Sequence, residues 1–269
     1  MPCLLMRFSL KLEVENGNVA LPLNYQYELS SWIFHTIHNS DNDFARWLHE
    51  TGYCNRNRKF KLFTFSRLKP EKYRISGDRM IIDSRNTELI VSFYVSEAVE
   101  HFIAGVFKNQ HLKLGDRISS ADFYVRQIEK LPDISFSSCM KFRAISPLIV
   151  SHNTGVEEYA RYLSPEDDAY PELLYNNLIS KYVATAEFHT EDCNKGAVLS
   201  EQEFGFSLLG GIRQKLIRIK AGKSDETFLK GFEFEFKLTA PVELMRIGYY
   251  SGFGEKNSLG FGCVEVVET

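Results

Sequence analysis

The chain has 269 residues, 44% of them hydrophobic and 25% charged, with a formal net charge of -3. These proportions fit one large or two small globular domains with a real core, and they exclude a chain coated in positive charge. No stretch approaches the roughly 18 apolar residues of a membrane span, and the opening MPCLLMRFSLKLEVENG alternates charge from Arg7 onward, unlike a signal peptide, so no membrane partner is expected.

In chain order, residues 4–15 alternate as a strand, and 25–52 have helical spacing broken at Asn39, Ser40 and Asp41, with Ser40 or Asp41 as the N-cap of a second helix. Strand patterns follow at 60–68, 73–77, 79–83 and 87–95, then a helix over 96–109 and a strand within 117–130. The order strand, helix, strands, helix, strand is that of a ferredoxin-like unit. A second such series begins after LPDISFSS (131–138): a strand at 141–151, a helix at 171–188, strands at 204–209, 212–221 and 229–239, a short helix at 241–250 and a closing strand at 263–268. The fold class expected is α+β, two tandem ferredoxin-like (RRM-like) domains at 1–130 and 139–269.

Cys3, Cys54, Cys139, Cys193 and Cys263 stand far apart with no CxxC pair and no close histidine, so they read as reduced packing residues of a cytoplasmic protein, and neither metal nor cofactor is implied. Charge is concentrated in two places. Residues 56–74 hold Arg56, Arg58, Lys59, Lys61, Arg67, Lys69, Lys72 and Arg74 against the single acid Glu71. GIRQKLIRIKAGK (211–223) supplies Arg213, Lys215, Arg218, Lys220 and Lys223 with no acid, alternating with Ile212, Leu216, Ile217 and Ile219 as in a basic strand. Arg213 and Lys215 share one parity and Arg218 and Lys220 the other, so either a bulge intervenes or a hairpin turning near Gly222 to Glu226 projects with both faces wet. A charge run is most often a solvated face, and the alternation favours a phosphate-binding ribbon.

GYYSGFGEKNSLGFGC (248–263) contains five glycines between a helix and a strand. A structural turn needs one or two; five permit positive φ and leave backbone N–H groups open to a phosphate, with Lys256 and Asn257 able to reach the phosphate or a base edge. The stretch is neither a P-loop, since no GxxxxGK[ST] occurs, nor a dinucleotide fingerprint, which would need a third glycine and a preceding strand.

GFGEKNSLGFG (252–262) closely resembles the C-terminal glycine-rich loop of the CRISPR repeat-processing endoribonucleases, the sixth Cas family within the RAMP superfamily. LPLNYQYELSSWIF (21–34), DFARWLHETGY (43–53) and FKLFTFSRL (60–68) are similar to the same family, so the resemblance spans nearly the whole chain. It implies metal-independent cleavage of precursor CRISPR RNA within each repeat, leaving a 2′,3′-cyclic phosphate and a 5′-hydroxyl. It also implies repeat RNA as the partner, with other Cas proteins of an effector complex as further candidates, and a monomer or homodimer.

Such a reaction needs a base for the 2′-hydroxyl proton, an acid for the departing 5′-oxygen and a cation for the phosphorane. The chain has seven histidines, a residue type suited to the first two roles near neutral pH. By the resemblance the catalytic histidine falls on His49 and the lysine on Lys61. Phe34 stands where many members have a tyrosine, so that hydroxyl is lost, and His35 and His38 on one helical face are candidates to replace it. As a metal pair these two lack further ligands. The expected RNA contacts are Gly252, Gly254, Lys256, Asn257, Gly260 and Gly262 in the loop and Arg213, Lys215, Arg218 and Lys220 in the hairpin. The alternative is a repeat-RNA-binding subunit of an effector complex without a working active site. A ferredoxin-like protein that never meets RNA would leave both the ribbon and the loop without a task.

Overall fold

A computed structural model describes residues 5–14, 19–152, 161–188, 203–222 and 224–267. In the N-terminal half the elements are β1 (Met6–Val14), β2 (Val19–Pro22), α1 (Gln26–Ser40), α2 (Asn42–Glu50), β3 (Tyr53–Asn55), β4 (Arg58–Phe60), β5 (Phe63–Phe65) and β6 (Lys69–Pro70). They continue with β7 (Tyr73–Ser76), β8 (Arg79–Ile82), β9 (Asn86–Phe93), α3 (Ser96–Lys108), β10 (His111–Gly115) and β11 (Ser120–Lys130). The C-terminal half comprises β12 (Cys139–Ala144), β13 (Ser151–His152), β14 (Arg161–Tyr162), α4 (Tyr170–Phe188), β15 (Gly205–Ile219), β16 (Thr227–Thr239), α5 (Val242–Ser251) and β17 (Val264–Val266).

The main N-terminal sheet runs β10-β11-β1-β9-β5, every pair antiparallel. With β10 set aside, the order is fourth, first, third, second strand of a βαββαβ unit, which is the ferredoxin-like arrangement. The C-terminal sheet runs β15-β16-β12-β17, the same order read from the other edge. Two ferredoxin-like folds in tandem therefore account for the chain, and both follow from the alternation of strand and helix periods in the sequence.

Strand β1 shows why the halves pack as one body. Phe8, Leu10, Leu12 and Val14 are buried on one face, while Arg7 and Ser9 are buried on the other. Arg7 reaches the C-terminal half, donating from Nη2 to Val264 O at 2.5 Å and lying 4.4 Å above the Tyr249 ring. A buried guanidinium with such partners joins the two sheets. Helices α1 and α3 approach closely at Gly105, where a Cβ would stand 1.8 Å from Thr36 O.

Boundaries differ from the sequence reading where backbone hydrogen bonding intervenes. The strand expected over 60–68 is interrupted at Leu62, which has φ +53° and gives its carbonyl to Tyr94 N at 2.9 Å. Lys61 thus sits at a bend between β4 and β5. The strands expected at 204–209 and 212–221 form one continuous β15, with a register shift between Leu209 and Arg213. The strand expected over 141–151 ends at Ala144. Short β2, β3, β6, β13 and β14 lack a readable alternation in the sequence.

Candidate RNA-cleaving cleft and the glycine-rich loop

Helix α1 ends at Ser40, and Asp41 caps α2 by accepting from Phe44 N at 2.8 Å, which lowers its carboxyl pKa. The turn between the helices sets α1 and α2 side by side and opens a cleft of about 640 Å³. His35 and His38 of α1, His49 of α2 and Lys61 all line it, with Phe34, Arg46 and Tyr27. The four residues expected to act in catalysis are thus brought together. The three histidines are exposed, and among the described residues none of their rings is hydrogen-bonded. Phe34 packs edge-on against His49 at 5.1 Å and against Phe63 at 5.3 Å, so the ring standing at the tyrosine position orients the imidazole.

Lys61 is held by helix geometry. Thr51 and Gly52 both donate to Trp47 O at 2.8 Å, and Gly52 has φ +62° with Phe60 O only 2.5 Å from where a Cβ would stand. Glycine there lets the β3–β4 hairpin fold back over the end of α2. Lys61 Nζ then donates to His49 O at 2.7 Å and Lys59 Nζ to Glu50 O at 3.0 Å, two cations at the negative end of the α2 dipole. Desolvation, and next the charge of Lys59, pull the Lys61 pKa down to about 8. One of its three donors is spent on His49 O, leaving two for an anion in the cleft.

Two other described histidines, His101 and His111, have local partners. His101 Nδ1 lies 3.2 Å from Ser40 Oγ, and His111 pairs with Asp122 at 3.2 Å. His189 lies outside the described residues. Among the described residues no three His, Cys, Asp or Glu side chains converge as metal ligands.

The glycine-rich loop is tight and largely buried. Gly252, Gly254, Gly260 and Gly262 all have positive φ. A Cβ on Gly262 would stand 2.0 Å from Phe253 O, on Gly254 2.3 Å from Ile149 O and on Gly260 2.5 Å from the Phe65 ring. Close packing against backbone and an aromatic ring is thus what these glycines provide. The N–H groups of Gly260 and Gly262 are spent on Asn257 O and Pro147 O, each at 2.9 Å, and that of Glu255 on Ile149 O at 2.8 Å. These amides do not face a phosphate, which corrects the expectation of a loop opened to an anion at Gly260 and Gly262. Asn257 is likewise directed inward: Nδ2 donates to Phe253 O and Phe261 O, and Oδ1 accepts from Lys181 at 2.7 Å. Lys256 remains exposed, and Ser258 and Leu259 form part of the wall of the α1–α2 cleft, with Ser30 Oγ donating to Ser258 O at 2.6 Å.

Lys181 of α4 was not legible as a loop residue in the sequence. It is 1% exposed and donates to Gly252 O at 2.6 Å, Gly254 O at 2.8 Å and Asn257 Oδ1 at 2.7 Å. Three acceptors match the three donors of an ammonium. Burial pulls its pKa down to about 7, and Glu255 opposes that.

The basic ribbon is a hairpin, as expected, but three of its cations meet acids in the turn or on the opposite strand. Lys215 lies 3.7 Å from Glu233, Arg218 2.6 Å from Glu226, and Lys220 pairs with Asp225. Its end is docked rather than projecting: Ile217 and Ile219 are buried with Ile149 and Phe261, and Arg218 N donates to Asn24 Oδ1 at 3.1 Å. Lys220 reaches to 5.7 Å from the Tyr27 ring, at the cleft wall, while Arg213 is exposed. The register shift lies ahead of Arg213, so the change of parity between Lys215 and Arg218 reflects two usable faces.

A histidine-bearing cleft on one ferredoxin-like fold, adjoined by a glycine-rich loop from a second in tandem, places the molecule in the class of tandem-ferredoxin RAMP proteins. The chain belongs to the Cas6 family: residues 20–129 match "CRISPR-associated protein Cas6, N-terminal" and residues 129–266 match "CRISPR associated protein Cas6, C-terminal". It is 33% identical to CRISPR-associated endoribonuclease Cas6 1 of Methanocaldococcus jannaschii over 98% of this chain and 93% of that protein. A solved structure of "CRISPR associated protein Cas6" superposes with a TM-score of 0.75 at 32% identity, covering 98% of this chain and 100% of the other. "An RAMP protein binding different RNA substrates" superposes with a TM-score of 0.77 at 25% identity, with 98% and 100% covered.

Proposed function

We propose that this chain is a metal-independent, sequence-specific endoribonuclease that cuts precursor CRISPR RNA within its repeats. The observation that carries the reading is the convergence of His35, His38, His49 and Lys61 on one cleft. Family membership and the name of the Methanocaldococcus jannaschii relative support it. The division into units at 1–130 and 139–269 belongs to the same reading, with catalysis in the first and most RNA-holding surface shared between them.

In this mechanism His49 takes the proton from a 2′-hydroxyl, whose oxygen attacks the adjacent phosphorus. Lys61 holds the charge of the phosphorane through its two unspent N–H donors. The bond from phosphorus to the 5′-oxygen breaks, and His35 or His38 donates the proton that the departing alkoxide needs. The products carry a 2′,3′-cyclic phosphate and a 5′-hydroxyl. Lys220, Arg213 and Lys256 contribute phosphate contacts, which makes affinity fall with salt.

Incubation of purified protein with its own repeat RNA in EDTA, followed by analysis of product ends, tests the proposal. One cut with those ends supports it. Tight, salt-dependent binding without a cut favours the second reading, an RNA-binding subunit, to which the absent hydroxyl at Phe34 lends a specific basis.

A further inference from the structure

The α1–α2 cleft holds one cation to which the proposed mechanism gives no task. Arg46 is the single arginine among its described wall residues, and it is exposed. Two acids stand within intrahelical reach of it, Asp43 three residues before and Glu50 four residues after. Neither pair forms: among the described residues Arg46 makes no ion pair and no hydrogen bond. Elsewhere on the surface Arg74, Arg161 and Arg218 each take the acid within reach, at Asp83, Asp167 and Glu226. The guanidinium of Arg46 is thus left unspent beside the three free imidazoles.

Its place follows from the fold of the two helices. Phe34 and His49 stand about equally far along the chain on either side of Asp41, and their rings meet at 5.1 Å, so α1 and α2 fold back on each other about that residue. Arg46 precedes His49 by three residues, which puts it on the same face and about 4.5 Å nearer the turn. His38 is likewise nearer the turn than His35. Lys61, bonded to His49 O, lies at the other end of α2. From the turn outward the order is therefore Arg46 and His38, then His35 and His49, then Lys61. His49 stands between two cations, and the mechanism gives Lys61 the scissile phosphate. A strand laid along the cleft brings a second phosphate to Arg46, whose planar fork matches two phosphate oxygens.

The chemistry supplies a direction. His49 takes the 2′-hydroxyl proton, and His35 or His38 protonates the departing 5′-oxygen, so the leaving nucleoside lies toward the turn. We infer that Arg46 holds the phosphate on the 3′ side of that nucleoside, the first one downstream of the cut, and so fixes the leaving strand over the acid. The inference rests on the endoribonuclease reading and adds to it a substrate-holding residue and the direction in which the RNA runs through the cleft. The contact is to phosphate and is indifferent to the base.

The test uses the full chain and repeat RNA in EDTA. A neutral methylphosphonate replaces one phosphate at a time on either side of the cut, the scissile one excepted, and single-turnover cleavage and binding are measured for wild type, Arg46→Ala and Arg46→Lys. With wild type, the neutral link at the first downstream phosphate slows cleavage about tenfold, the loss of one charge-assisted contact. Arg46→Ala slows cleavage of intact RNA by a similar factor, lowers the salt slope of binding by about 0.7 and makes that neutral link nearly silent. Arg46→Lys, a charge without the fork, falls between. Independent, multiplicative losses at that position, cleavage by Arg46→Ala at the wild-type rate, or coupling to an upstream phosphate instead overturns the inference. The two failures are distinguishable. Wild type that cuts without this coupling removes the Arg46 contact alone. Wild type that binds every strand and cuts none removes the endoribonuclease reading, and the contact then stands or falls on the same coupling in the binding constants.

Discussion

The α1–α2 cleft and the glycine-rich loop come from the two most family-like stretches of the sequence, yet they are built in opposite ways. The cleft leaves its imidazoles exposed and without hydrogen bonds among the described residues, and one lysine keeps donors to spare. The loop spends its groups on itself: its glycines admit backbone and side-chain atoms at 2.0 to 2.5 Å from where a Cβ would stand, and a buried lysine gathers two of its carbonyls and its asparagine. The contrast teaches that chemistry is placed where groups are left unspent. A motif rich in glycine marks close packing as readily as ligand contact. The loop serves the cleft by holding Ser258 and Leu259 against α1.

The largest effect that sharpens this contrast is His49→Ala. It is expected to reduce single-turnover cleavage about 10²–10⁴-fold while leaving RNA affinity and melting temperature near wild type, since the side chain is exposed. An equal loss of stability would break the distinction. In the loop the order reverses. Gly262→Ala, with φ +77° and Phe253 O at 2.0 Å, is expected to cost on the order of 4 kcal/mol or prevent folding. Gly222→Ala has φ +73° but nothing within 4 Å, and is expected to cost about 1 kcal/mol, read by denaturant melts.

Lys181→Met strands three buried acceptors and is expected to cost on the order of 3 kcal/mol, a fall of roughly 8 °C in melting temperature. Unchanged melting would mean that the clamp holds nothing. The smallest expected effect is a pH limb. In the proposed mechanism Lys61 acts as a cation; its pKa is lowered to about 8, and its charged fraction falls as pH rises through that value. Cleavage is therefore expected to decline above about pH 8, and Lys61→Arg, which stays charged, is expected to remove the decline.

Much of the fold was legible because helical and strand periods alternate cleanly in both halves, from the alternation in 4–15 to the helix over 171–188. The helix break at Asn39 to Asp41 was legible from capping chemistry, and it is what sets the histidines around one cleft. The residues that tie the halves together were not. Lys181 lies 71 positions before Gly252, its first acceptor, and no local pattern distinguishes a clamping lysine from a solvated one. The acids that pair with the hairpin's cations sit in the turn and on β16, at Asp225, Glu226 and Glu233, so a run counted as wholly basic is partly neutralised across the hairpin.

The most direct measurement replaces one group on the substrate. Repeat RNA carrying a 2′-deoxy sugar on the 5′ side of the cut is incubated with wild-type protein in EDTA, beside the all-ribose strand. The account predicts equal binding of both strands, cleavage of the ribose strand to a 2′,3′-cyclic phosphate and no cleavage of the deoxy strand. Cutting of the deoxy strand, or a cut of the ribose strand that appears only when metal is restored, would contradict it.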